Sequence, residues 1–256
     1  MGRRSQHIAP AVARTTRYAP GALTLDTPVP EPDEAPKRAK EPLRAARLAP
    51  LIAAYALVAV LPGELLRTFA IETFVFDGPS MRPTLDHGDR FLVDRASWGL
   101  TLPGATEAVA SWAEPERGQV VVVTSPLDDI RIVKRILGLP GDVVEVRSGR
   151  MVLNGELLTV EEVGPCAERE GRWPGGDECR VFQETLPAAD GSVSYFIEHD
   201  RRYDLNVGPT VVPEGHVYLR GDHRDMSNDS TNALMGPVAI TRVVGDMVEV
   251  YWRGGP

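Results

Sequence analysis

After residue 47 this 256-residue chain holds a single lysine, Lys134. Positive charge is scarce in that part altogether: residues 48–256 carry 19 Lys/Arg against 31 Asp/Glu, a balance of −12. Residues 1–47 differ, with nine basic side chains against five acidic ones, +4. Nucleic-acid binding needs clustered cations that displace counterions from phosphate, so the acidic body excludes it. Cysteine is almost missing as well. Cys166 and Cys179 have no histidine or further cysteine near them in sequence, which argues against a zinc site; no metal or cofactor is expected. The five histidines (His7, His87, His199, His216 and His223) accompany no G-x-S-x-G elbow, which disfavours a Ser–His–Asp hydrolase of that kind. Helical periodicity is nearly absent, and only one long apolar run occurs.

The length allows one sizeable domain with extensions. Residues 1–47 are rich in proline and poor in large apolar side chains, which predicts a disordered tail. The apolar run Leu48–Leu61 follows, continuing through P-G-E-L-L-R-T-F-A-I. It is short of the roughly 20 residues a spanning helix needs, and Pro62-Gly63-Glu64 interrupts it. Lys37, Arg38, Lys40, Arg44 and Arg47 crowd its N-terminal side as the positive-inside rule expects, and Arg67 can snorkel at the far end. Residues 48–70 are therefore expected to form one transmembrane anchor in a lipid bilayer. The tail is then cytoplasmic and residues 71–256 extracytoplasmic. Beyond the anchor, β-branched runs at 90–95, 119–124, 130–137, 142–147, 216–220, 238–244 and 246–252 predict strands, and Asn154-Gly155 predicts a type I′ hairpin. The fold class expected is mainly β, barrel-like or sandwich-like, with an inserted β subdomain at about 145–213. An extracytoplasmic location favours a Cys166–Cys179 disulfide; two free thiols and half a metal site are the alternatives.

Three segments can carry chemistry. F-D-G-P-S-M-R-P-T-L fixes Ser80 between Pro79 and Pro83, close to the anchor. A serine hydroxyl needs a neighbouring base. Lys134, in I-R-I-V-K-R-I-L, shares a strand face with Ile132 and Ile136. Burial there would lower its pKa and make a neutral amine available; an edge-strand lysine reaching solvent is the alternative. G-D-H-R-D-M-S-N-D-S, Gly221–Ser230, is a dense polar loop that suits either a turn or a hydrogen-bonded site.

Together these segments resemble the bacterial type I signal peptidases, the Ser–Lys membrane proteases. S-M-R-P-T-L resembles that family's nucleophile segment, R-G-Q-V-V-V-V its next strand, I-V-K-R-I-L-G-L-P-G-D its lysine segment, and G-D-H-R-D-M-S-N-D-S its last. The resemblance implies Ser80 as nucleophile, its N–H helping to hold the oxyanion, and Lys134 as general base. It implies Ser227 as the serine that orients the lysine, with Asp229 and Ser230 as structural neighbours. Substrates would be exported preproteins cut after small residues in an A-x-A-like pattern, in the bacterial inner membrane, with the export translocon a possible partner. Phe76 and Met81 are expected to meet lipid or the substrate.

This sequence departs from the family pattern at four places. Gly78 stands where some members place a serine that supplements the oxyanion site. His223 replaces the usual Asn. Thr231 replaces the usual Arg, removing the expected partner of Asp229, and Gln119 replaces an Asp. Two other readings follow: a homologue that binds signal peptides without cutting, and a Ser–Lys self-cleaving regulator. The latter lacks a helix-turn-helix here.

Overall fold

A run of four valines has no polar face, so a strand built from it needs cover on both sides. Val120–Thr124 is such a strand, and all its residues are buried. The computed structural model describes residues 43–63, 70–167, 178–200 and 204–254. In chain order the strands are β1 (Ile71–Val75), β2 (Arg90–Asp94), β3 (Gly99–Leu100), β4 (Ala110–Ser111), β5 (Val120–Thr124) and β6 (Arg131–Gly138). Next come β7 (Val143–Arg147), β8 (Arg150–Leu153), β9 (Glu156–Leu157), β10 (Thr159–Pro165), β11 (Cys179–Ala188) and β12 (Gly191–Asp200). The last are β13 (Val207–Val211), β14 (His216–Arg220), β15 (Val238–Ala239) and β16 (Val243–Trp252).

The main sheet has seven strands in the order β1-β2-β16-β5-β6-β14-β15. Its two central strands pair antiparallel with Val121 opposite Lys134. Phe76, Met81, Leu85, Phe91, Val93, Val120, Val122, Val133 and Val244 pack into one apolar core of this unit; Val121, Val123, Ile136, Val217, Leu219 and Val243 pack into another. The mainly β expectation therefore holds.

The region between the lysine strand and β14 contains two smaller sheets, β13-β7-β8-β9 and β10-β11-β12. The expected hairpin is present: Asn154 (φ 54°) and Gly155 (φ 86°) supply the two left-handed residues that a type I′ turn requires. These sheets have no private core. Leu137 of β6 and Tyr218 of β14 pack in one cluster with Val144, Met151, Leu186, Tyr195 and Ile197. Residues 48–256 accordingly form one compact unit.

The end of the chain differs from expectation. The run Val238–Val244 is not one strand, because a 3₁₀ turn at Ile240–Arg242 interrupts it. Arg242 is tied there to Glu107 and Asp129. β15 pairs with β14, whereas β16 pairs with β5 and β2, so the turn carries the chain across the sheet. Gly245, which looked like a strand break, lies inside β16. A Cβ there would collide with the Asp94 carbonyl, and the register shifts beside it, so this glycine marks a bulge.

The N-terminal apolar run is helical. α1 (Leu43–Tyr55) contains Pro50 and continues as a π-type segment over Ala56–Val60. Its large apolar side chains, Leu48, Leu51, Ile52, Tyr55, Leu57, Val58, Val60 and Leu61, are all at least half exposed. Among the described residues no helix is long and apolar enough to cross a membrane. The expected anchor 48–70 runs into residues 64–69, and the expected tail 1–47 falls almost wholly on residues 1–42; both stretches lie outside the described residues.

Candidate active site

β6 carries Lys134 into the interior with 2% exposure, so its head does not reach solvent at a strand edge. Its Nζ donates to Ser80 Oγ at 3.0 Å and to the Val133 carbonyl at 2.9 Å. Burial lowers its pKa from 10.5 to about 8, against the opposing pull of Asp229 and Asp222. The hydroxyl meets an amine that is neutral in part near physiological pH. In that state the same contact can run the other way, with the serine donating.

The segment holding Ser80 is a tight turn that folds back on the sheet. Arg82 N–H bonds the Pro79 carbonyl at 3.1 Å and Leu85 N–H the Met81 carbonyl at 2.9 Å. Met81 is 0% exposed and Phe76 4%, both within the main-sheet core. This corrects the expectation that they face lipid or substrate: the turn needs apolar anchors, and these two side chains supply them. Gly78 is also buried and has φ +125°, with no atom within 4 Å of where a Cβ would lie. Backbone conformation, rather than crowding, selects glycine there.

The loop after β14 closes over the nucleophile. His223 N–H donates to the Ser80 carbonyl at 3.1 Å. Gly221 lies so close that a Cβ would sit 2.5 Å from that same carbonyl oxygen and would collide with Ser227. Ser227 is thus brought to the site, but its Oγ is buried with no hydrogen-bond partner and does not bond Lys134. Ser230 Oγ accepts from Leu219 N–H at 2.9 Å, tying the loop to β14. The His223 ring does not engage Ser80 Oγ; its Nδ1 lies 2.8 Å from Asp225 and its Nε2 3.8 Å from Glu198.

Asp229 is not left without a cation by Thr231, which corrects the expectation from the sequence. Arg220 Nε lies 3.2 Å away, and the N–H of Gly221 and both polar groups of Thr231 also donate to it. Burial pushes the Asp229 carboxyl up, but these partners outweigh it and hold it below the ordinary range. Gln119 likewise has a local reason. Its amide donates to Asp246, whose pKa burial and the neighbouring Asp94 and Glu116 raise to about 6. Another carboxylate at 119 would add to that repulsion.

A buried charge network behind the site escaped the sequence reading. Arg135 forks onto Asp222 at 2.8 and 2.6 Å, donates to the Gly118 carbonyl, and stacks on Tyr195. Thr84, four residues after Ser80, also bonds Asp222. Arg224 pairs with Glu184 of β11, which Tyr195 of β12 also bonds. No signal in the sequence marked Glu184 or Glu198, since no strand was expected over 179–200. Cys166 and Cys179 form a disulfide, and the described residues contain no free cysteine.

Comparison with known proteins defines the class first. The chain resembles signal peptidase I of Pseudomonas fluorescens, 35% identical over 201 residues that span 75% of this chain and 68% of that one. It resembles signal peptidase I of Pseudomonas aeruginosa at 34% over 206 residues, again 75% and 68%. A solved signal peptidase I from Enterococcus faecalis V583 matches at 22% identity over 54% of this chain and all of that chain, with a TM-score of 0.31. The protein is a serine peptidase, a hydrolase of peptide bonds. The family model "Signal peptidase, peptidase S26" matches residues 46–252, and the chain belongs to that family.

Proposed function

We propose that this protein is a membrane-anchored endopeptidase that removes signal peptides from exported preproteins, with Ser80 as nucleophile and Lys134 as general base. The observation that carries the reading is the 3.0 Å contact between Ser80 Oγ and a buried Lys134 amine. Ser80 Oγ attacks the scissile carbonyl carbon, forming a C–O bond, while Lys134 Nζ takes the hydroxyl proton. The oxyanion that develops is held by backbone donors that include the Ser80 N–H. Collapse of the tetrahedral species breaks the C–N bond, and Lys134 returns the proton to the leaving amine. Water then attacks the acyl ester while Lys134 accepts its proton; the second tetrahedral species collapses with cleavage of the C–O bond to Ser80, and Lys134 returns the proton to the departing Oγ.

The preferred substrates carry small residues before the cut, in an A-x-A-like pattern. The apolar helix at residues 48–61 supports an anchor, because its large side chains find no protein cover and basic residues precede it. This reading places the catalytic part on the extracytoplasmic face of the bacterial inner membrane, where preproteins emerge from the translocon. The disulfide suits that compartment. Against a homologue that binds without cutting stands the paired hydroxyl and amine; Asp229 too keeps its cation despite Thr231.

The deciding experiment incubates detergent-solubilised protein with a preprotein and maps the new N-terminus. Cleavage after a small residue, lost in Ser80→Ala, is the expected result. Cleavage by the wild type that persists in Ser80→Ala would reject the assignment of the nucleophile.

A further inference from the structure

We infer that Glu198, on β12, is a positioning residue that sets the nucleophile against its base from outside the site. The inference rests on the peptidase reading above. Glu198 touches neither Ser80 Oγ nor Lys134; it acts through two segments that do.

Its backbone grips the loop after β14. Glu198 N–H donates to the Asp222 carbonyl at 3.0 Å, and Arg224 N–H donates to the Glu198 carbonyl at 2.8 Å. These two bonds make an isolated parallel bridge between Glu198 and His223, the residue whose N–H holds the Ser80 carbonyl. Its carboxylate reaches the other segment. Oε2 lies 3.8 Å from Arg82 Nε, two residues past the nucleophile, and 3.8 Å from His223 Nε2. All three side chains are nearly fully buried: Glu198 and Arg82 are 1% exposed and His223 3%. The sulfurs of Cys166 and Cys179 and a carboxylate oxygen of Glu198 all lie within 4.8 Å of one another, so the disulfide also borders this carboxylate.

One buried carboxylate therefore faces the turn that carries Ser80 and the loop that clamps its carbonyl. At 3.8 Å the Arg82–Glu198 pair acts through charge, and removing one member of a buried pair leaves the other charge less compensated. Loss of the charge removes a carboxylate shared by Arg82 and the His223 ring, whose Nδ1 remains beside Asp225. The Ser80 peptide then loses its fixed angle to Lys134. An angular error of this kind weakens proton transfer more than it weakens substrate capture.

The test compares wild type, Glu198→Gln, Glu198→Asp and Leu186→Ala on a preprotein-derived peptide, with thermal unfolding of each. Leu186 is a fully buried core residue of the neighbouring strand β11 and reports destabilisation of the region alone. Expected are a fall of at least tenfold in kcat for Glu198→Gln with KM within threefold, partial recovery in Glu198→Asp, and unchanged kcat in Leu186→Ala despite a lower Tm. Wild-type kcat in folded Glu198→Gln overturns the inference, as does an equal loss in Leu186→Ala. Should Glu198→Gln not fold, wild-type kcat in Glu198→Asp overturns it as well, because the shorter arm withdraws the charge from both partners. Failure of the wild type to cleave would instead reject the peptidase reading, so the two failures are distinct.

Discussion

Lys134 is the side chain on which the chemistry turns, and its burial fixes a pH dependence. Protonated, the amine cannot accept the serine proton; deprotonated, it can. With burial lowering its pKa to about 8, kcat/KM should rise through an apparent pKa near 8 and level off above it. A flat profile across that range would contradict Lys134 as base. Lys134→Ala should lower kcat by about 10²–10⁴-fold, and Lys134→Arg should fail comparably because a guanidinium stays protonated. Ser227 makes a sharper test. Its hydroxyl is buried and unpaired, so Ser227→Ala removes an unsatisfied group and should leave stability within about 1 kcal/mol. Activity should stay within tenfold; a larger loss, read by steady-state kinetics, would mean that Ser227 reaches Lys134 during turnover. Ser80 and Lys134 were legible in the sequence because each sits in a distinctive segment. The unpaired state of Ser227 was not, since a hydroxyl's partners depend on a backbone path that residue type does not encode. Phe76 and Met81 misled for a related reason: apolar residues beside an anchor suit lipid as well as a core, and only the turn at 79–85 decides.

Between strands, the buried ion pairs join the inserted sheets to the catalytic sheet. Arg135 alternates with Lys134 along β6, so one strand sends a base to one side and a structural cation to the other. Arg135→Met leaves Asp222 buried with little compensation and should cost about 3–5 kcal/mol, measured by urea unfolding. The disulfide closes a 13-residue separation, and replacing both cysteines by serine should cost about 3 kcal/mol. Most strands of the main sheet were readable from β-branched runs, and the hairpin from Asn154-Gly155; β11 and β12, the long strands of the insert, were not, because polar residues interrupt them. What the pattern could not show was sharing: Leu137 and Tyr218 belong to a core filled mostly by the insert. Contacts between segments 80 residues apart leave no periodicity behind. The same limit hid Glu184 and Glu198, whose partners Arg224 and Arg82 lie on other elements.

The chain as a whole combines a body of net negative charge with an apolar helix whose large side chains find no protein cover. That division predicts how it partitions. A chain starting at residue 71 should remain in the aqueous phase while keeping peptide cleavage, because the exposed side chains of residues 48–61 contribute nothing to the β cores. Flotation with phospholipid vesicles measures this: the full chain should rise with the vesicles and the shortened one should not. The family match from residue 46 to 252 fits a single functional unit extending from the helix to the last strand. The scarcity of lysine has a further use. A chain grown on isotope-enriched lysine carries three labelled side chains, at 37, 40 and 134, of which Lys134 is buried in β6. The ε-amine resonance lost in Lys134→Ala reports the base, so its titration can be watched spectroscopically, at the nitrogen itself and without substrate.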